Sequence, residues 1–445
     1  MKRLVWLVML IGGSAAAAPT PNAVTLETVM RQTVDRNPEI QQAKLRLEQA
    51  AGRRLVLRSI GFPDMSLGGL LGDQGGHRAE GQGDQPFGVA FGGLNQVLFN
   101  VAVPHSFRRG NLEVMIAEQE LNVAMTTQLH DARLAFYTAM YNRDLGKIRA
   151  NQLRRLQQNA ASQAQRYQSG VVSRAISVGA QVESNELQPK LDTSDRAFHG
   201  AELKMVEAMG ENLGPSAFLP EPAGELKYVA IDIDLPREVT RTLQQRPDLE
   251  LARLMVRASH ENERILAAAY YPTVNLNVGG EYIPVTGVRQ TQSQGSPRRS
   301  DDIISSEIRA GVAYTWKVMD SGRTYGEVKQ ERSAREINEI MLHKLEQDIP
   351  RDMARIHHEL SAIADKQKVL AAAADAAQHN ALTVEENLSK GIVSQIEFRQ
   401  AQTAALELQS SLLTLAYQQH VAMAEWDRAT GRYLAFSDAA GQNVP

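Results

Sequence analysis

The chain has 445 residues, no cysteine and a formal net charge of −3 at pH 7. The lack of cysteine excludes disulfides, thiolate metal sites, cysteine catalysis and a lipid anchor on an N-terminal cysteine, so the exported protein is expected not to be lipidated. The weak negative charge gives no electrostatic argument for nucleic acid as a partner.

Residues 1–18 have the features of a secretory signal peptide. Lys2 and Arg3 precede an apolar run at residues 4–11, and small residues follow at 15–18. No later stretch approaches the ~20 apolar residues that a membrane-spanning helix needs. An exported chain can still enter a membrane through strands that alternate apolar and polar residues, which are found by their period of two.

The first structural repeat is predicted at residues 19–213. Its apolar residues have helical spacing between Thr25 and Ser59, and Pro38 predicts a turn between two helices. The period then changes to two. The predicted strands are residues 62–72 and 86–100, followed by a long helix from about residue 104 to 166 and a returning helix that ends near residue 213.

A second repeat with the same order of elements is predicted at residues 237–434. Pro247 and Asp248 repeat Pro38 and Glu39, which indicates a duplicated unit far longer than one solenoid repeat. The other predicted segments are a proline-containing linker at residues 214–236, strands at about 272–285 and 303–318, and a C-terminal tail at residues 435–445.

In the predicted strands of the second repeat, the charged residues occur only at alternate positions, on one side of each strand. This pattern favours a sheet with one face in contact with water. These residues are Glu281, Glu307, Arg309 and Lys317. Four strands cannot close a barrel in lipid, so the chain is expected to share one with its own copies. Two copies would give eight strands around packed side chains, and three would give twelve around an aqueous lumen. An ordinary water-soluble hairpin is the alternative.

Motifs for catalysis are missing from the sequence. It has no phosphate-binding loop of the Walker type, no His-Glu-x-x-His pair and no Gly-x-Ser-x-Gly elbow. His357 and His358 are adjacent on a predicted helix, where they point apart, and a solvated helix face explains them. The chain is therefore expected to be no enzyme and to need no cofactor. A soluble periplasmic coiled-coil scaffold is the alternative to a function in the membrane.

The order and duplication of several motifs resemble the TolC family of bacterial outer-membrane channel proteins, over essentially the whole mature chain. The motifs are Asn37-Pro38-Glu39-Ile40, the turn at residues 167–173, Gly391-Ile392-Val393-Ser394 and the closing segment at residues 424–431.

The resemblance implies a mainly α fold with a membrane β-barrel. Three copies would form a homotrimer with a shared twelve-stranded barrel in outer-membrane lipid and a helical tunnel in the periplasm. A periplasmic adaptor protein would join it to an inner-membrane pump or exporter. The function implied is a passive exit duct for efflux or type I secretion.

The resemblance also implies functional residues at the helical turns. In relatives, acidic residues after the second turn constrict the entrance; the matching positions here are Glu397 and Gln400, of which only the first is acidic. A solvated carboxylate at a helix start is the alternative for Glu397. The turns themselves, which in relatives meet the adaptor, contain Gly170, Val171, Ser173, Gly391, Ile392 and Ser394.

Overall fold

The computed structural model describes residues 23–74, 85–212, 219–282, 306–390 and 392–433. The predicted signal peptide, the predicted C-terminal tail, Gly391 and parts of the predicted linker and of the second pair of strands lie outside these residues. The chain divides into two compact units. One contains Met1–Gln41, Met125–Glu238 and Asp352–Pro445, and the other contains Gln42–Ala124 and Val239–Arg351. Each unit therefore combines segments of both sequence repeats.

Each repeat begins with two consecutive helices that are separated at a proline. In the first repeat these are α1 (Leu26–Arg36) and α2 (Pro38–Ser59), and in the second α5 (Leu235–Gln245) and α6 (Pro247–Ala267). A proline at the first helical position gives up no hydrogen bond there and disfavours a helical residue before it. The turns at Asn37 and Arg246 follow from this chemistry.

Two-residue strands β1 (Ala23–Val24) and β4 (Glu221–Pro222) form a parallel pair, and four long strands form one antiparallel sheet in the order β2-β3-β5-β6. The long strands are β2 (Asp64–Gln74), β3 (Gln85–Phe99), β5 (Thr273–Tyr282) and β6 (Ser306–Thr315). Each hairpin is made of neighbours in sequence, and the pairing of β3 with β5 joins the hairpins of the two repeats. The two outer strands, β2 and β6, each pair with a single strand in the described sheet.

The register shows which residues share a face of the sheet. Glu281 lies opposite both Glu307 and Phe91, and Gly279 lies opposite Arg309. The odd-numbered residues of β3, which include Phe91, therefore lie on the charged face as far as a bulge between Val97 and Phe99. Alternation identifies two faces, but only the pairing between strands tells which face of one strand continues that of the next.

Lys317 is not part of the charged face, contrary to the sequence-based prediction. Strand β6 ends at Thr315, which pairs with Thr273, the first residue of β5. Pro272 precedes β5 and has no N–H for a further ladder bond. Instead the Trp316 indole N–H donates to the Tyr270 carbonyl (3.1 Å), and Lys317 lies at the junction between sheet and helix.

The two strand-to-helix corners use equivalent side chains. Asn100 Oδ1 accepts from the Ala102 N–H (2.8 Å), and Asp320 accepts from the N–H groups of Gly322 (3.1 Å) and Thr324 (2.9 Å). The two corners differ in sequence, because residues 103–105 contain no counterpart of Gly322. The structure shows that the shared element is the Asn or Asp acceptor, which starts a helix at either corner.

Four long helices account for most of the remaining described residues. They are α3 (Ala102–Gln168), α4 (Arg174–Met209), α7 (Arg323–Ser389) and α8 (Gln395–Ala429). Pro350 lies inside α7 and Pro189 inside α4, and both helices continue through them.

The first compact unit has a hydrophobic core between α1, α3 and α4. Its buried residues include Val29, Phe136, Met140 and Met205. The extended segment after the two-residue strand β4 (Glu221–Pro222) lies along α8, where the Gln419 side chain accepts from the Val229 N–H (2.9 Å) and donates to the Val229 carbonyl. The described part of the predicted linker thus packs on the helices.

Candidate channel entrance and charged sheet face

The turn between α3 and α4 is built around Gly170. Its φ is +73°, and the Val171 N–H donates to the Arg166 carbonyl (2.9 Å) across it. This left-handed closure of a helix end favours glycine because a Cβ is strained there. Ser173 has extended backbone angles at the start of α4, but its side chain makes no capping bond. Val171 is 65% exposed, so the turn presents an apolar side chain.

The second turn, between α7 and α8, has the same backbone closure: the Ile392 N–H donates to the Asn387 carbonyl (2.9 Å). Gly391 itself lies outside the described residues. Ser394 then caps α8 through its hydroxyl, which accepts from the Glu397 N–H (3.2 Å). Ile392 and Ile396 are exposed beside this cap.

Glu397 completes a capping box with Ser394. Its Oε2 accepts from the Ser394 N–H (2.8 Å) and from the Ser394 hydroxyl (3.1 Å). These hydrogen bonds lower the pKa of Glu397 below its ordinary value of 4.5, and the bond from the Ser394 backbone has the largest effect. The carboxylate is thus ionised at neutral pH, exposed, and still has Oε1 for other contacts. Gln400 is exposed one turn further along α8.

An ion pair near the two turns was not predicted from the sequence. Arg399 Nη1 donates to Glu183 Oε2 (2.8 Å), which joins the first turns of α8 to α4. The two residues are 216 positions apart, and neither belongs to a recognisable motif. Only the packing of the two returning helices brings them together.

The capping box leads to a prediction for α8. Replacing Ser394 with alanine removes a helix cap and should cost about 1 kcal/mol of local stability. Glu397→Gln should weaken the same turn at neutral pH. Because the folded pKa of Glu397 is lowered, its stabilising contribution is present above the unfolded pKa and is lost as pH falls below 4.5.

Amide hydrogen exchange of residues 394–400 should therefore be faster in both variants at neutral pH. The difference between the native chain and Glu397→Gln should shrink progressively as the pH is lowered below 4.5. Ser173→Ala is the matched control, because Ser173 occupies the corresponding N-cap without a side-chain capping bond. Equal effects of Ser173→Ala and Ser394→Ala would contradict the assignment.

The charged face of the sheet has one compact ion pair. Arg309 donates through Nη2 to Glu307 Oε2 (2.6 Å) and through Nε to Glu307 Oε1, a two-pronged arrangement. Glu281 lies directly across from Glu307 on the neighbouring strand. The register also places Asp64 on this face, so the described residues of one chain present three carboxylates and one guanidinium, a net charge of −2.

The described residues give no sign of a metal centre or of a helical membrane span. No group of three or more His, Asp and Glu side chains in them could hold a metal ion. No helix in the same ranges is both long and apolar enough to cross a membrane.

Comparison with known structures assigns the fold. The chain is similar to the Campylobacter jejuni CmeC outer membrane channel, with a TM-score of 0.79 and 12% identity over 100% of this chain and 98% of that chain. It is similar to the outer membrane protein VceC of Vibrio cholerae, with a TM-score of 0.74 and 15% identity over 91% of this chain and 96% of that chain.

The open state of the Neisseria gonorrhoeae MtrE outer membrane channel has a TM-score of 0.73 and 13% identity over 91% of this chain and 88% of that chain. The fold is thus that of outer-membrane channels. In sequence, residues 239–432 match the model of the outer membrane efflux protein family. A search of curated proteins found no significant match.

These matches confirm the resemblance to the TolC family and the predicted fold class. At such low identities the structural likeness establishes the fold, and the family match supplies the class of function. The outer-membrane location and the role as an efflux channel, both expected from the sequence, are confirmed at that level.

Proposed function

We propose that this chain is the passive outer-membrane exit duct of a tripartite efflux system and that it works as a homotrimer. A periplasmic adaptor and an inner-membrane pump would deliver the substrate to its helical end. The observation that carries the proposal is the amphipathic four-stranded sheet, whose outer strands lack partners in the described chain. An open sheet edge in lipid leaves backbone groups without hydrogen bonds, so the edges require another chain.

The geometry of the edges supports closure by identical copies. All neighbouring strands in the order β2-β3-β5-β6 are antiparallel, so β2 and β6 run in opposite directions. The β2 strand of one copy can therefore pair with β6 of the next in the same antiparallel pattern. Three copies would give twelve strands, which encloses a lumen, whereas two would give eight strands around packed side chains.

Unpartnered helix faces next to these edges favour the same assembly. Leu45 and Val56 on α2, which leads into β2, are 63% and 72% exposed. Ile337 and Ile340 on α7, which follows β6, are 52% and 68% exposed. Apolar faces of this kind indicate an interface, and cyclic symmetry would bring the α2 of one copy against the α7 of the next.

At the helical end, Glu397 is the proposed entrance residue. Its capping bonds use one carboxylate oxygen and keep the group ionised, so capping and attraction of cations are compatible. Three copies would place three negative charges around the entrance, with Gln400 as a neutral neighbour. The exposed apolar residues of the two turns, Val171 and Ile392 among them, are the proposed contact for the adaptor.

The first test is the mass of the detergent-purified protein, measured by light scattering with the detergent contribution subtracted. We expect a trimer in the outer-membrane fraction. A particle of one or two copies that needs no detergent would overturn the duct and favour the soluble periplasmic scaffold.

The second test is conductance of the reconstituted protein in planar bilayers. Glu397→Gln should lower the permeability of cations relative to anions, and Gln400→Glu should raise it. Glu407→Gln is the control, because it removes the same charge further along α8. Equal selectivity in all four proteins would leave the duct in place but remove Glu397 from the entrance.

A further inference from the structure

We infer that the junction between α2 and the sheet holds a site for the phosphate of an anionic phospholipid headgroup, formed by Arg54 and Arg58. The inference rests on the proposed function, because it requires the sheet to be in the membrane. Both arginines lack carboxylate partners among the described residues, Arg58 lies over an aromatic ring, and exposed aromatic side chains lie at the same end of the sheet.

Arg54 and Arg58 carry charges that no carboxylate of the described residues neutralises. Most arginines of the second compact unit have partners: Arg53 and Arg109 pair with Glu113, and Arg332 and Arg335 pair with Glu263. In the described part of the chain, neither Arg54 nor Arg58 has an ion pair or a side-chain hydrogen bond. They are four positions apart on α2, so they lie on one face of the helix.

Arg58 is held in place by an aromatic platform. Its guanidinium lies over the ring of Phe107, 5.4 Å from the ring centroid. Phe62 stacks on the same ring, with centroids 6.0 Å apart and planes 19° apart. Phe107 also lies against Gly61, where an added Cβ would be only 2.8 Å from the ring. A stacked guanidinium keeps its N–H donors at its edge, where they match phosphate oxygens.

The platform lies at the level expected for a membrane interface. Exposed aromatic side chains collect where the strands meet the helices: Phe62, Phe99, Tyr270, Tyr271 and Trp316. Aromatic residues prefer the boundary between headgroups and hydrocarbon. Arg58 is one helical turn before Phe62 in the sequence, on the helical side of this boundary, where phosphate groups would lie.

Positive charges outnumber negative ones at the same junction, where Arg54, Arg58 and Lys317 lie with Asp64 and Asp320. Lys317, which the structure moves from the charged face to this junction, also has no ion pair among the described residues. The acidic residue nearest to it in sequence, Asp320, accepts from the first N–H groups of α7 and from the Thr324 hydroxyl. Its charge is therefore engaged in a helix cap and is not paired with Arg54, Arg58 or Lys317.

The test uses a fluorescent reporter at the site in the full-length protein. Phe62→Trp places an indole beside Arg58, and the protein is reconstituted in phosphatidylethanolamine vesicles with a minor fraction of phosphatidylglycerol. Bromine atoms, which quench indole fluorescence, are placed on the chains of either lipid. We expect phosphatidylglycerol to quench more strongly at equal mole fraction. Its relative association constant should fall about fivefold for each of Arg54→Gln and Arg58→Gln.

Control variants distinguish the loss of the proposed site from a general loss of positive charge. Arg154→Gln removes an exposed arginine of the other compact unit and should leave the preference unchanged. Arg58→Lys keeps the charge and should keep part of the preference. Inorganic phosphate in the buffer should not abolish it; if it does, the site binds free phosphate and the assignment to lipid is wrong.

The outcomes distinguish this inference from the proposed function. Equal quenching by both lipids in the parent reporter would overturn the headgroup site while leaving the protein in the membrane. Quenching of the native Trp316 without quenching at position 62 would mean that a second copy covers the platform, which also overturns the site. Absence of quenching at both positions would contradict the membrane duct itself.

Discussion

Gly210→Ala is expected to destabilise the first compact unit by about 3 kcal/mol. Gly210 ends α4 with a φ of +69°, and its N–H donates to the Glu207 carbonyl (3.0 Å). An added Cβ would meet backbone: the Arg36 carbonyl carbon at 2.7 Å, with its oxygen still closer, and the Asn37 Cα at 3.0 Å. Backbone atoms at a helix junction cannot move aside as a flexible side chain can, so the close contact adds to the strain.

Variants at two other glycines of the same unit distinguish the cost of backbone strain from the cost of the close contact. Gly170 has a φ of +73° but nothing within 4 Å of the Cβ position, so Gly170→Ala should cost only the backbone strain, about 1 kcal/mol. Gly200 lies within α4, also with open space, and Gly200→Ala should stabilise the protein by about 0.5–1 kcal/mol. Thermal unfolding followed by helical circular dichroism gives the order, and equal losses at Gly170 and Gly210 would contradict it.

The sequence predicted the order of elements because that order rests on local signals. The change from helical spacing to a period of two is visible in one stretch of chain, and so is the proline that separates α1 from α2. The register is not local. Phe91 shares a face with Glu281 because β3 pairs with β5, and Lys317 leaves the sheet because β5 begins only after Pro272.

Some features of the candidate sites also have a local sequence signal, and others depend on contacts between distant residues. The Ser394–Glu397 capping box has a sequence signature, serine followed three residues later by glutamate, and a carboxylate at a helix start was the alternative interpretation of Glu397. The Arg399–Glu183 pair has no such signature. The corner at Asn100 did have one that was missed, since Asn100 and Asp320 occupy equivalent places after β3 and β6 and both have side-chain acceptors.

The hydrogen bonds of Asn37 explain why an asparagine begins the Asn37-Pro38-Glu39-Ile40 motif. Asn37 is 3% exposed, and its Oδ1 accepts from the N–H groups of Glu39 (2.9 Å) and Ile40 (3.3 Å), which caps α2. Its Nδ2 donates to the Ala208 carbonyl (2.9 Å) in the last turn of α4 and to Gln128 Oε1 (3.0 Å) on α3. One amide side chain therefore joins three helices of the first compact unit.

Asn37→Ala should cost about 3 kcal/mol, because it removes a helix cap and leaves two acceptors without their donor in a mostly buried place. Thr25→Ala is the matched control: Thr25 caps α1 through one exposed bond from the Thr28 N–H (3.3 Å), and its loss should cost about 1 kcal/mol. Asn37→Asp keeps the cap acceptor but has no donors, so it should also be strongly destabilising.

Asn37 and Gly210 meet at the same junction, since the Cβ position of Gly210 approaches Asn37 itself. The double variant of Asn37→Ala and Gly210→Ala should therefore lose less stability than the two single losses added together, because either change already displaces the end of α4 from α2. The double variant of Thr25→Ala and Gly170→Ala, whose sites share no contact, should be additive. Additive losses in both pairs would mean that Asn37 acts only as a cap and that the junction between α2 and α4 does not depend on it.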